Sequence, residues 1–171
     1  MAAEKKQVWI VMGSDSDAGT MQTAYDTLNE FGVDCKMMVS SAHRSPLRTS
    51  KIAKSAVKNN VACFIVGAGA AAHLAGVIAA ETPVPIIGVP IDSSALNGMD
   101  ALLATVQMPG GVPVACMAIG KAGAKNAALF AIQMLSLSDK KLAQKYDDYK
   151  SSLAKKVAAK DKRLQKALAA K

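Results

Sequence analysis

The sequence predicts a three-layer α/β/α sandwich on a parallel five-stranded sheet, with an amphipathic helix at the C-terminus. Two observations predict it. Short apolar runs alternate five times with helix-compatible segments, the pattern of βα units that build a parallel sheet. The runs are also continuously apolar rather than alternating, as strands covered on both faces are.

The elements follow in order. Gln7–Met12 stops at Gly13 and reads as the first strand; Asp17–Phe31 has helical composition and stops at Gly32. Asp34–Val39 is the second strand, and Pro46–Asn59 the second helix, because proline suits a first turn that needs no N–H there. Ala62–Val66 is a third strand ended by Gly67-Ala68-Gly69, and Ala71–Thr82 a third helix stopping before Pro83. Pro85–Val89 is the fourth strand, residues 98–107 a helix ending before Pro109, and Pro113–Ile119 the fifth strand. Ala122–Leu137 is a long helix with almost no polar face. Such a helix is buried on more than one side, which predicts an oligomer interface.

One domain over residues 1–171 is expected, with an α/β core over 7–137 and a basic helix or tail over 139–171. Hydrophobic residues make up 51% of the chain and aromatics only 4%, so alanine, valine and isoleucine carry the core. No apolar run reaches membrane-spanning length without interruption, and Met1–Gln7 lacks the apolar stretch of a secretion signal. A cytoplasmic protein is expected. Cys35, Cys63 and Cys116 fall in separate predicted strands and form no Cys-x-x-Cys pair; they read as small hydrophobes in a reducing compartment.

The net charge of +8 would suit a nucleic-acid partner, but its location argues otherwise. Residues 140–171 hold eleven Lys or Arg against three Asp, which accounts for all of it. There Leu142, Tyr146, Tyr149, Leu153 and Val157 recur at three- and four-residue spacing, one apolar stripe of a helix with a lysine-rich outer face. Neither a nucleic-acid nor a membrane partner is expected. Past Lys160 the helix is expected to fray.

Three loops that follow strands carry the unusual residues. In Gly13-Ser14-Asp15-Ser16-Asp17, the glycine permits a tight turn, the serines can donate to an anion and the carboxylates can accept from ribose hydroxyls; an ordinary helix cap accounts for the same residues. In Ser40–Pro46, His43 and Arg44 stand together just past a strand end. Ligands of open α/β sheets bind in the crevice there. Arginine offers a fixed fork of donors for phosphate or carboxylate, and histidine ordinarily titrates nearest neutral pH. A capped turn with a surface arginine is the plainer alternative. In Gly67-Ala68-Gly69-Ala70-Ala71-Ala72-His73-Leu74, small residues let a ligand approach the backbone, and His73 is in position to orient a carboxyl group or to cap the next helix. The only two histidines of the chain thus fall in loops that a parallel sheet brings to one edge. No Asp, His or Cys grouping has metal-ligand spacing.

Five stretches match, in order, the 5-(carboxyamino)imidazole ribonucleotide mutases, the PurE-type catalytic proteins of purine biosynthesis. They are Val11–Asp17, Ser41–Pro46, Gly67–Leu74, Gln107–Pro113 and Ala118–Gly123, spanning roughly residues 8–137. The resemblance implies a flavodoxin-like fold and a homo-octamer with sites at subunit junctions. It implies conversion of N5-carboxyaminoimidazole ribonucleotide to 4-carboxy-5-aminoimidazole ribonucleotide on the way to IMP, with no metal, ATP or organic cofactor, and a functional link to an ATP-dependent synthase. By family role it gives His43 as the proton carrier and Ser14, Asp17 and Arg44 as substrate-binding residues, with Ser16 and Ser41 toward the phosphate. It sets Gly69, Ala70, His73 and Leu74 around the migrating carboxyl group. The chain departs at Ala70, where many members have a second glycine, and at Ala75, a frequent proline.

Three other readings stand beside this one. A related carboxylase takes free carbon dioxide; its animal-type members usually carry lysine after the loop histidine and lack Ala-Ala-His-Leu, so Arg44 and His73 favour the mutase. A non-catalytic nucleotide- or flavin-binding module shares the layered fold but gives no reason for His43 beside Arg44. An RNA-binding protein is suggested by the tail alone.

Overall fold

A computed structural model describes residues 6–170 of the chain. They form two compact units, one ending at Ala131 and one starting at Ile132.

The first unit is the α/β core. Its strands are β1 (Gln7–Met12), β2 (Cys35–Val39), β3 (Val61–Gly69), β4 (Ile86–Ile91) and β5 (Ala115–Cys116). All pairings are parallel, in the order β2-β1-β3-β4-β5, the flavodoxin-like order whose crevice lies between β1 and β3. The helices are α1 (Ala18–Phe31), α2 (Pro46–Ser55), α3 (Leu74–Glu81), α4 (Met99–Val106) and α5 (Gly120–Ser136), which runs across the boundary between the units.

Side chains alternate across the sheet and divide the core into two layers. Trp9, Val11, Phe64 and Val66 pack on one face with Ala53, Leu74, Ile78 and Ala101 from α2, α3 and α4. Val8, Ile10, Met12, Cys63 and Ile65 point to the opposite face and are likewise buried. The backbone of Gly67 abuts Met21 of α1 on that side. Each fully buried aliphatic side chain stabilises by roughly 1.5–3 kcal/mol, so β1 and β3, buried on both faces, anchor the fold. Burial pushes the Cys63 thiol up to about 12, and all three cysteines are free.

Several element bounds differ from the sequence reading, each for a local reason. β3 runs through Gly69 instead of stopping at Val66, because Ala68 and Gly69 pair with Pro90 and Ile91. α3 begins at Leu74 rather than Ala71: the Ala72 and His73 N–H groups donate to the Ala70 and Ala71 carbonyls at 2.8 Å, a tight turn that leaves no room for helix. β5 keeps two residues of the expected seven, because only Ala115 and Cys116 pair with β4, opposite Ile87 and Gly88. β2 is an edge strand with Lys36 and Val39 exposed, not a strand covered on both faces. α2 ends at Ser55 and passes into a 3-10 turn, Val57–Asn59.

Within a single chain α5 has one covered side. Gly123, Ala124, Ala127, Ala128, Ala131 and Ile132 form one buried stripe, while Lys121, Ala122, Lys125, Asn126 and Phe130 face outward.

The second unit holds the end of α5 and α6 (Lys140–Ala169). Asp139 caps α6 by accepting from the Lys141 and Leu142 N–H groups, and Gln133 donates to the Tyr146 hydroxyl at 2.6 Å. The expected stripe is present: Leu142 is buried, Tyr146 and Tyr149 are half-buried, and Leu153 and Val157 are exposed. The helix does not break past Lys160 but continues to Ala169, adding Leu164 and Leu168 to the exposed stripe. No helix among the described residues is long and apolar enough to cross a membrane.

Gly88 lets α4 lie against the sheet, since a Cβ there would collide with Cγ2 of the buried Thr105. Gly88→Ala is expected to cost 1–3 kcal/mol, typical of overpacking, read as a lower denaturant midpoint with an unchanged slope; an unchanged midpoint would show that α4 is loosely held.

Candidate active site

The strand ends determine where the site lies. Met12 pairs with both Val39 and Gly67, so β2, β1 and β3 reach one edge together. The Ser40 and Gly13 N–H groups donate to the Met12 and Gly67 carbonyls and extend that alignment by one residue. β3 then continues two residues further beside β4, making a step above the end of β1. A cavity of about 570 Å³ occupies this edge, lined from the loops after β1, β2, β3 and β4.

The loop after β1 contributes Gly13, Ser14, Ser16 and Asp17. Ser14 opens a 3-10 turn, Asp15–Asp17, through a capping box. Its Oγ accepts from the Ser16 N–H at 3.4 Å, and its own N–H donates to Asp17 Oδ2 at 3.2 Å. The cap reading of this loop therefore holds, and the same residues face the cavity. Asp17 is 6% exposed. Burial raises its pKa, against the lowering effects of the Ser14 N–H, the Ser16 side chain and the Arg44 charge.

The loop after β2 contributes Ser41, Ala42, His43 and Arg44. Its backbone is closely tied: the Ser45 N–H donates to the Ser41 carbonyl at 2.8 Å, the Ser41 N–H to Ser45 Oγ at 3.0 Å, and the Arg44 N–H to Ser41 Oγ at 3.2 Å. Below it the buried hydroxyls of Ser40 and Thr49 pair at 2.9 Å and fix the first turns of α2 to the strand end. Exposed His43 and Arg44 thus stand on a rigid mount. The Arg44 guanidinium donates to the Gly13 carbonyl at 3.4 Å and links the first two loops.

Ala68, Gly69, Ala71 and Leu74 form the wall from β3 and its loop. Ala70 and His73, both expected at the site, are not among the lining residues. His73 instead touches a residue that is: its Nδ1 lies 3.0 Å from His43 Nε2, with the rings edge-on, 76° apart. One nitrogen donates and the other accepts, so the contact contains a single proton. Although His73 directly precedes α3, its side chain makes no cap.

The described chain matches the family of AIR carboxylases over residues 7–156. It belongs to that family. Among its relatives, the N5-carboxyaminoimidazole ribonucleotide mutase of Pyrococcus horikoshii is 48% identical over 165 residues, covering 96% of this chain and 92% of the relative. The protein of the same name from Bacillus subtilis is 54% identical over 141 residues, covering 82% and 87%. In fold, the chain is similar to the crystal structure of Treponema denticola PurE, with a TM-score of 0.84 and 29% identity over 94% of this chain and 99% of that one.

Within this family frame, the cavity gathers eight of the ten expected site residues: Ser14, Ser16, Asp17, Ser41, His43, Arg44, Gly69 and Leu74. Sequence reasoning missed Ser93, which enters from the loop after β4. The signal was available, since Ser93 follows its strand as the other site residues follow theirs. The frequent family glycine at position 70 also has a physical reason: Ala70 adopts φ +50°, a left-handed conformation that costs a residue with a Cβ about 1–2 kcal/mol. Ala70→Gly is expected to leave stability unchanged or slightly raised, and Ala70→Val to lower it by more than about 1 kcal/mol. Thermal unfolding of the two variants checks this; equal melting points would show that the backbone relaxes out of the left-handed region.

Proposed function

We propose that this chain is an N5-carboxyaminoimidazole ribonucleotide mutase acting in purine biosynthesis, with His43 as its proton carrier. The observation that carries the reading is the meeting of His43 with Ser14, Asp17, Arg44 and a wall of small residues around one cavity. The identity of 45–54% to mutases over most of the chain supports it.

The roles follow from the chemistry of each group. Arg44 meets the substrate phosphate, with Ser16 and Ser41 as neutral donors beside it and Ser14 at the substrate. Asp17, an acceptor while ionised, takes ribose hydroxyls. In the first step the bond between the carboxyl carbon and the exocyclic nitrogen breaks, and its electron pair returns to the nitrogen. His43, entering protonated, gives that nitrogen its proton. Carbon dioxide and the aminoimidazole ribonucleotide result. C4 then attacks the carbon dioxide, forming the new carbon–carbon bond and leaving C4 with both a proton and a carboxylate. His43, now neutral, removes that proton and the ring regains aromaticity. The proton count closes, and His43 ends as it began. His73 orients the His43 ring through the 3.0 Å contact. Retaining the carbon dioxide is central, because holding two reactants in place replaces a bimolecular encounter.

The reading extends to assembly as a homo-octamer, with sites at subunit junctions and a functional link to an ATP-dependent synthase in the cytoplasm. The exposed apolar residues of α4, Met99, Leu103 and Val106, support burial in such an assembly.

Purified protein supplied with N5-carboxyaminoimidazole ribonucleotide is expected to yield the C4-carboxylated isomer, followed directly by NMR. Turnover only from the aminoimidazole ribonucleotide with bicarbonate would assign the chain to carbon dioxide fixation instead. His43→Asn is expected to bind substrate but to turn over about 10²–10⁴-fold more slowly, the usual contribution of a positioned acid–base group; near-normal turnover would remove His43 from proton transfer. Arg44→Ala is expected to raise KM by about 10–100-fold, the value of hydrogen bonds to a charged group, with a smaller change in kcat; an unchanged KM would move the phosphate elsewhere.

A further inference from the structure

We propose that Ser93 is an additional substrate-binding residue that holds the carboxylate of the migrating one-carbon group at the β4 side of the cavity. This rests on the mutase reading above and adds to it a residue and a specificity.

The position of Ser93 follows from the sheet. Ile91, the last residue of β4, pairs with Gly69, the last residue of β3. Two residues on, Ser93 turns back against Gly69 so closely that a Cβ on Gly69 would collide with Ser93 Oγ and lie 3.2 Å from the Ile91 carbonyl oxygen. Glycine at 69 is therefore the condition for a hydroxyl at this point of the wall. Any other residue there would displace it.

The chemistry of the wall shows what the hydroxyl is for. From β3 and its loop the cavity receives Ala68, Gly69, Ala71 and Leu74, none with a polar side-chain atom. Ser93 is the hydroxyl on that side. Two serines on the far side have protein partners: Ser14 Oγ donates toward Asp15 Oδ1 and accepts from the Ser16 N–H, and Ser41 Oγ accepts from the Arg44 N–H. Among the described residues Ser93 Oγ has no protein partner, so its proton is free for a ligand. A carboxylate accepts hydrogen bonds and cannot donate them, so the free O–H of Ser93 supplies the donor that an otherwise apolar wall lacks. With the phosphate held at Arg44, across β1 in the strand order, the base and its carboxyl group extend toward β3 and β4, where Ser93 stands.

Two ligands that differ by this carboxyl group alone provide the test. The full chain and its Ser93→Ala variant are titrated calorimetrically with 4-carboxy-5-aminoimidazole ribonucleotide and with 5-aminoimidazole ribonucleotide. Ser93→Ala is expected to weaken the carboxylated ligand about 10-fold or more, the size of one hydrogen bond to a charged group, and to leave the uncarboxylated ligand and the melting temperature unchanged. Equal weakening of both ligands would put Ser93 at the ribose or phosphate, and no weakening of either would take it out of the site; each overturns the inference while leaving the mutase reading intact. An unaltered chain that binds neither ligand overturns the mutase reading and the inference with it.

Discussion

The parallel register between β1 and β3 is the constraint on which the site depends. With Met12 opposite Gly67, the chain leaving β1 turns under an edge that β3 and β4 continue to build for two residues. The cavity lies on that step. A shift of one residue would turn every side chain of β1 to the opposite face and carry Ser14 and Asp17 away from Gly69. The register is held because both faces of β1 and β3 are buried: Val8, Ile10 and Met12 on one side, Trp9 and Val11 on the other. Either slip would exchange two well-packed layers at once.

Polarity across the cavity follows from this geometry. The β1 and β2 loops bring a buried carboxylate, a guanidinium and three serines, and the β3 loop brings alanine, glycine and leucine. One end thus suits a phosphorylated sugar, and the other gives a small neutral molecule little to bind. The two histidines bridge these regions. Their 3.0 Å contact ties the β2 loop to the β3 loop across the end of β1, so the orientation of His43 is set by a residue that does not itself line the cavity. Desolvation of Asp17 is offset in part by the Ser14 N–H and by Arg44, which shows how tightly the cap of the first helix and the ligand-facing surface are joined.

The basic charge has a separate origin. Nearly all of it lies on α6, where lysines cover the outer face of a 30-residue helix whose apolar stripe is buried at Leu142 and exposed from Leu153 onward. The family model ends at residue 156, before the exposed Val157, Leu164 and Leu168. Net charge is in this case a property of one helix and says nothing about the cavity.

The sequence by itself determined the alternation of strands and helices, the parallel sheet and the loops that carry the site. Each depends on short-range chemistry: continuous apolar runs, glycine and proline punctuation, and a proline suited to a first turn. It also placed His43, Arg44, Ser14 and Asp17 at strand ends, because in a parallel sheet every such loop opens on the same edge. Only the tertiary structure decided the remaining features. Ser93 became a cavity residue through the packing of β4 on β3, a contact between positions 24 residues apart in the chain. The backbone turn at Ala70–Ala72 postponed α3 and set His73 at its N-cap position, where the side chain meets His43 instead of the helix. Within one chain the long alanine-rich helix has a single buried face, since composition records how apolar a segment is, whereas the neighbours it meets decide which side is covered.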